Sequence, residues 1–255
     1  MRIRETFDIL NQAGEMLFIP YITAGYPSLE ESINIFRMLC EYGADIIEIG
    51  VPFSDPIADG PTIQYSSQIA LQNGVTLKKL MGRLRDVKID KPLILMSYLN
   101  PLLAYGKENL YRDMKEIGLS GIIVPDMPAE ESDEWLSLSK AYDIDIIFLV
   151  APTSSDERIR FIAERSCGFI YCVSITGTTG MRDELPGGLL RFIRKIKKLT
   201  DVPVAVGFGI STPEQILTLK GEIDGVIVGS RIIEAIRRGE NLKEIVAKLK
   251  STTRR

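Results

Sequence analysis

The sequence has 255 residues, 45% hydrophobic and 25% charged, with a net charge of -3. That is ordinary globular composition; the mild charge offers no basic footprint for nucleic acid and no acidic tail. No stretch approaches the roughly 18 uninterrupted apolar residues of a membrane helix, and the length suits one domain of about 250 residues spanning 1–255.

The first segment, MRIRETFDILNQAGEM, mixes charges through its apolar positions, so no signal peptide is expected. Short runs rich in Ile, Val and Phe then recur at Leu17–Ile22, Asp45–Gly50, Leu93–Tyr98, Gly121–Pro125, Asp145–Val150, Gly168–Ser174, Pro203–Phe208 and Asp224–Gly229. Each is strand-sized and apolar on both faces, as parallel strands buried on both sides are. Helix-period segments separate them. Ser28–Tyr42 opens on a capping serine with Glu31 three residues on and stops at Gly43. Further helices are expected over Leu77–Val87, Glu108–Ile117, Ala129–Tyr142, Ser155–Arg165, Leu189–Leu199, Pro213–Lys220 and Asn241–Lys250, with an extra one near Thr62–Leu71. Eight strands alternating with helices predict an α/β chain folded as a single (β/α)8, or TIM, barrel with extra helices. Cys40, Cys167 and Cys172 form an odd set without framework spacing, which points to a reducing cytoplasm.

In such a barrel the chemistry sits on the loops after the strands' C-terminal ends, and the loops after strands seven and eight hold phosphate. Here they read GFGIS (207–211) and GSR (229–231). Glycines let backbone N–H groups approach an anion, and a helix N-terminus favours negative charge. TGTTG (176–180) after strand six is a third glycine-rich loop. The alternative for each glycine is a tight turn and nothing more.

There is no histidine, so proton transfer near neutral pH falls to carboxylates, Lys, Tyr or Cys with shifted pKa values. In DIIEIG (45–50) strand alternation puts Ile46, Glu48 and Gly50 on one face, aimed into the barrel, and Ile47, Ile49 and Val51 on the other. A carboxyl there is desolvated and its pKa raised. The next loop, PFSDPIADGP (52–61), carries Asp55 and Asp59 between prolines. Asp55 by itself reads as a solvated turn residue; two aspartates beside Glu48 favour a functional role for at least one. Asp126 is either a turn residue leading a helix or a site residue. Tyr98, Tyr171 and Phe208 are core aromatics or walls of an aromatic pocket.

Taken in order, PYITAGYP (20–27), EIGVPFSDPIADGP (48–61), MSYLNPLLAYG (96–106), VPDMPAEE (124–131), SITGTTG (174–180), GFGIS and VGS (228–230) resemble the tryptophan synthase alpha subunit family across nearly the whole chain. The resemblance implies a lyase of tryptophan biosynthesis that splits indole-3-glycerol phosphate into indole and glyceraldehyde 3-phosphate, with no cofactor and no metal. It implies Glu48 as the proton-shuttling carboxyl and Asp59 as the partner of the indole nitrogen. Gly180, Gly209, Gly229 and Ser230 then bind phosphate, and Thr179 is a lid residue. Tyr21, Tyr98, Ile123, Pro125, Tyr171 and Phe208 line the indole pocket or lie beside it. Asp55 and Pro56 face a beta subunit in an alpha2beta2 heterotetramer, to which indole passes. Tyr21, Pro125 and Ile175 are not the residues found in every family member.

Competing readings are another phosphate-binding barrel enzyme, a barrel that mainly activates a partner subunit, and a magnesium enzyme using Asp55, Asp59 and Asp126. An indole-glycerol-phosphate synthase calls for a strand-end lysine, and none is found.

Overall fold

The computed structural model describes residues 2–173, 188–207 and 209–254. Nine parallel strands among these residues form one curved sheet. They are β1 (Leu17–Thr23), β2 (Ile47–Gly50), β3 (Leu93–Met96), β4 (Gly121–Ile123), β5 (Asp145–Ile147), β6 (Leu149–Val150), β7 (Ile170–Val173), β8 (Val204–Gly207) and β9 (Gly225–Val228). Their order is β5-β4-β3-β2-β1-β9-β8-β7-β6.

β5 and β6 are halves of the single strand expected over 145–150, interrupted at Phe148. The first half pairs with β4 and the second with β7. The shear of a barrel requires this stagger, in which a strand meets its two neighbours at different heights. The carbonyls of Ile146 and Phe148 accept from the Cys167 and Tyr171 N–H groups at 2.8 and 3.0 Å, so the chain itself joins the two ends of the sheet.

Helices pack outside the barrel. α2 (Leu29–Glu41) starts as its sequence dictates: the Ser28 hydroxyl accepts from the Glu31 N–H and donates to the Glu31 carboxylate. Its buried face, Ile33, Phe36 and Leu39, lies against β1 and β2. The helix expected near Thr62–Leu71 is α3 (Pro61–Gln72). Beyond it come α4 (Leu77–Leu84), α5 (Leu99–Tyr105), α6 (Lys107–Ile117), α7 (Asp133–Tyr142), α8 (Asp156–Arg165), α9 (Leu189–Leu199), α10 (Pro213–Leu219), α11 (Ser230–Arg238) and α12 (Leu242–Thr253).

Three expectations are corrected. The stretch expected to be helical over Ala129–Tyr142 is a single 3-10 turn, Ala129–Glu131, followed by α7, because the Ser132 hydroxyl donates to the Ala129 carbonyl at 2.6 Å and closes the turn. Residues 3–13, for which no element is expected, form α1 (Ile3–Ala13). Its apolar residues recur at Ile3, Phe7 and Leu10, one helical face; Ile3 and Phe7 are fully buried, and the Phe7 ring meets Phe169 at 5.4 Å. α1 therefore plugs the barrel end opposite the strands' C-termini. α5 likewise occupies residues 99–105, for which no element is expected.

One buried ion pair ties α12 to the segment just before β2. Lys250 on α12 donates to Asp45 at 2.8 Å, and the same carboxylate oxygen accepts from the Phe18 N–H at 2.8 Å. No helix among the described residues is long and apolar enough to cross a membrane.

Candidate active site

A cavity opens at the C-terminal ends of the strands, with about 390 Å³ of empty space, part of it open to solvent. Tyr21, Glu48, Asp59, Tyr171, Gly209, Gly229 and Ser230 line it, together with Ile63, Met96, Ile210 and Ile227. The last four were not singled out from sequence. The signal available was alternation: Ile227 and Gly229 share one strand face, as do Met96 and Tyr98.

Glu48 is 1% exposed, and neither carboxylate oxygen has a hydrogen-bond partner among the described residues. Burial pushes its pKa up to about 8, with the Asp59 charge adding to the rise. A carboxyl left without donors in a dry site keeps its proton at neutral pH.

Asp59 is placed by the turn after β2. Its N–H donates to the Pro56 carbonyl at 3.0 Å, which folds the chain back and turns the side chain inward just before α3. The carboxyl is raised to about 6 by burial, held back by one hydrogen bond that Tyr98 donates at 3.0 Å. The two carboxyls of the cavity are thus set apart: Glu48 without a donor, Asp59 with one. Such separation is how a site assigns one acid and one base.

Tyr98 follows β3, stacks on Phe53 at 5.2 Å, and also accepts from the Ala58 N–H at 3.1 Å. Two tyrosines lie across glycines of a neighbouring strand. A Cβ at Gly50 would meet the Tyr21 hydroxyl at 2.0 Å, and one at Gly207 would meet the Tyr171 hydroxyl at 2.3 Å. Only glycine admits the rings there, and the rings narrow the barrel mouth into a slot with aromatic walls.

On the other rim, Gly229 caps α11 and Ser230 opens it. The first turn of a helix leaves N–H groups without intrahelical acceptors and carries the positive end of the dipole. Gly209, with φ of 90°, presents backbone to the same rim. The arrangement suits an anion next to an apolar slot.

Other expected residues lie elsewhere. Ile123 is fully buried in β4. Pro125 lines a separate groove with Asp126, Met127 and Phe148. Asp126 is a cap: its carboxylate accepts from the Leu99 N–H at 2.8 Å, at the start of α5. Asp55 is exposed and accepts from the Ser54 hydroxyl at 2.5 Å, while Pro56 is half-buried. The three aspartates Asp55, Asp59 and Asp126 thus have separate surroundings, and no three His, Cys, Asp or Glu side chains gather to hold a metal ion among the described residues. Thr179, Gly180 and Phe208, with the TGTTG loop and Ile175, lie outside the described residues.

Comparison with known proteins agrees with this geometry. The sequence profile of the family "Tryptophan synthase alpha chain" matches residues 7–255. The tryptophan synthase alpha chain of Thermoanaerobacter pseudethanolicus is 44% identical over 252 residues, covering 98% of this chain and 96% of that one. That of Methanosarcina mazei is 44% identical over 255 residues, covering 98% and 93%. Among solved structures, a chain of Mycobacterium tuberculosis tryptophan synthase superposes with a TM-score of 0.93 at 35% identity, covering 100% of this chain and 98% of its own. The alpha chain from Legionella pneumophila gives 0.88 at 30% identity, covering 99% and 97%. With an eight-unit parallel barrel, a buried carboxyl pair and an anion-favouring rim beside an aromatic slot, the chain belongs to the tryptophan synthase alpha chain family.

Proposed function

We propose that the chain is a lyase that cleaves indole-3-glycerol phosphate into indole and glyceraldehyde 3-phosphate. The observation that carries this reading is the pairing of Glu48, buried and without a donor, with Asp59, donor-held, in one cavity. The aromatic slot takes the indole ring, and the rim at Gly209, Gly229 and Ser230 takes the phosphate.

The bond to break joins indole C3 to the adjacent carbon of the glycerol chain. Glu48, protonated at neutral pH, gives its proton to C3, and the ring becomes an indolenine cation. Asp59, ionised at neutral pH, accepts the ring N–H and stabilises the positive charge there. The ionised Glu48 then takes the proton of the hydroxyl on the adjacent carbon. That carbon becomes an aldehyde, the bonding pair returns to the ring, and indole leaves with Glu48 protonated again. The ring acts as its own electron sink, so no Schiff-base lysine is needed.

The assay is indole release from indole-3-glycerol phosphate by wild type and Glu48→Gln, each alone and with beta subunit. A positioned acid–base group contributes roughly 10² to 10⁴ in rate, and a loss of that order is expected. A wild type that releases no indole even with its partner overturns the reading.

The same reading makes the chain one half of a complex with a beta subunit, an alpha2beta2 heterotetramer, with the loop carrying Asp55 and Pro56 facing the partner. Ile57, in that loop, is 75% exposed, an apolar side chain suited to burial in an interface. Weaker association of Ile57→Asp by sedimentation is expected; unchanged association removes this loop from the interface.

A further inference from the structure

Tyr21 lies beside Glu48: the two are register partners on β1 and β2, and both line the cavity. Its hydroxyl has a direction that the surrounding hydrogen bonds determine. Ser66, on α3, donates its proton to the Ile63 carbonyl at 2.8 Å. In the 2.6 Å contact between Thr23 and Ser66 the proton is therefore supplied by Thr23. In the 3.3 Å contact between Tyr21 and Thr23 it is supplied by Tyr21. Each hydroxyl carries a single proton, so the relay runs one way, from Tyr21 through Thr23 and Ser66 to a backbone carbonyl.

Two consequences follow. The phenol proton points into the barrel wall, and the Tyr21 oxygen keeps lone pairs with no donor among the described residues; Glu48 itself makes no hydrogen bond to it. The phenol also stays neutral, since burial raises its pKa well above the ordinary value and the charges of Asp59 and Glu48 add to this. A buried acceptor without a donor waits for one. Its place is defined by Gly50, across which the ring lies. Gly50 is two residues beyond Glu48 on the same strand face, one step nearer the barrel mouth.

We propose that Tyr21 is a specificity-determining acceptor whose oxygen takes a hydrogen bond from the hydroxyl on the middle carbon of the substrate's three-carbon chain. The inference rests on the lyase reading above. The carbon next to the ring meets Glu48 and the last carbon carries the phosphate at the rim, where Gly229 lies against the base of the Tyr21 ring while the phenol oxygen lies beside Gly50 on the Glu48 strand, so the middle carbon runs along Tyr21 within reach of that oxygen. The contact selects a hydroxylated chain over a plain alkyl chain of the same length.

The test uses the chain together with beta subunit and two ligands: indole-3-glycerol phosphate as substrate and indole-3-propanol phosphate, which lacks both chain hydroxyls, as competitive inhibitor. Tyr21→Phe removes the oxygen and keeps the ring. Its kcat/KM is expected to fall about tenfold, as when a buried donor loses its acceptor, with the inhibition constant of the propanol phosphate unchanged within about twofold. Thr23→Val frees the phenol proton to turn into the cavity toward Glu48. It should show the same selective loss and also move the basic limb of the pH profile to lower pH, because a donor stabilises the ionised carboxyl; Tyr21→Phe leaves that limb in place. Equal losses for both ligands, or no loss in Tyr21→Phe, overturn the proposal while the lyase reading stands. A wild type that releases no indole overturns both.

Discussion

Tyr98 grips the loop of Asp59 with one oxygen: it donates to the Asp59 carboxylate at 3.0 Å and accepts from the N–H of the preceding residue, Ala58, at 3.1 Å. The phenol thus fixes the loop after β2 and selectively stabilises the ionised carboxyl.

Tyr98→Phe should therefore raise the pKa of Asp59 above about 6, because a donor to the charged form is lost while burial remains. The acidic limb of kcat/KM should move to higher pH, with the rate at neutral pH down roughly tenfold, a net effect of the size of one charge-assisted hydrogen bond. An acidic limb that stays where the wild type has it refutes this role.

The proposed reaction needs Asp59 ionised and Glu48 protonated. With Asp59 near about 6 and Glu48 near about 8, kcat/KM for wild type should be bell-shaped, falling below about 6 and above about 8. These limbs report the free enzyme, and steady-state rates across pH 5 to 9.5 measure them. A rate that keeps rising beyond pH 9 would make Glu48 a base only and not the acid of the first step.

Glu48→Gln should lower turnover by roughly 10² to 10⁴ yet stabilise the fold. The folded pKa of Glu48, about 8, lies above its ordinary value of 4.5. Its contribution to stability is fully present below the ordinary value and is lost as pH rises through the folded one. Glutamine does not titrate, so the advantage of the variant should grow between about pH 5 and 8 and level off above, reaching a few kcal/mol. Urea midpoints at pH 5 and 8.5 give the comparison; a constant offset between variant and wild type would show that Glu48 is not desolvated.

Lys250→Met leaves Asp45 buried with the Phe18 N–H as its donor and its cation gone. Breaking such a pair costs roughly 3 to 5 kcal/mol. Thermal melts should show the single variant well below Asp45→Asn/Lys250→Met, since removing both charges avoids the unpaired one. Equal melting temperatures would place the pair in an effectively solvated environment.

The sequence by itself determined the barrel and the aim of Glu48. Runs of apolar residues identify strands buried on both faces, and alternation along 45–50 directs Glu48 inward; both are local properties of an extended backbone. Helix starts such as Ser28 were legible for the same reason, since the capping hydroxyl and the N–H it accepts from lie three residues apart. Resemblance of the EIGVPFSDPIADGP block separated Asp59 from Asp55, which composition left alike.

Tertiary structure alone decided the rest. Asp126, which the sequence leaves open between a turn residue leading the next helix and a site residue, instead accepts from the Leu99 N–H 27 residues earlier, at the start of α5. The plug α1 depends on the barrel end it fills. The unequal pKa values of Glu48 and Asp59 come from the burial of both, the Asp59 charge that raises Glu48 further and the Tyr98 donor that reaches only Asp59, and the one-way hydroxyl relay at Tyr21 runs through β1 and α3. Periodicity records what neighbours along the chain share; hydrogen bonds between elements depend on side chains that only folding brings within 3 Å of each other.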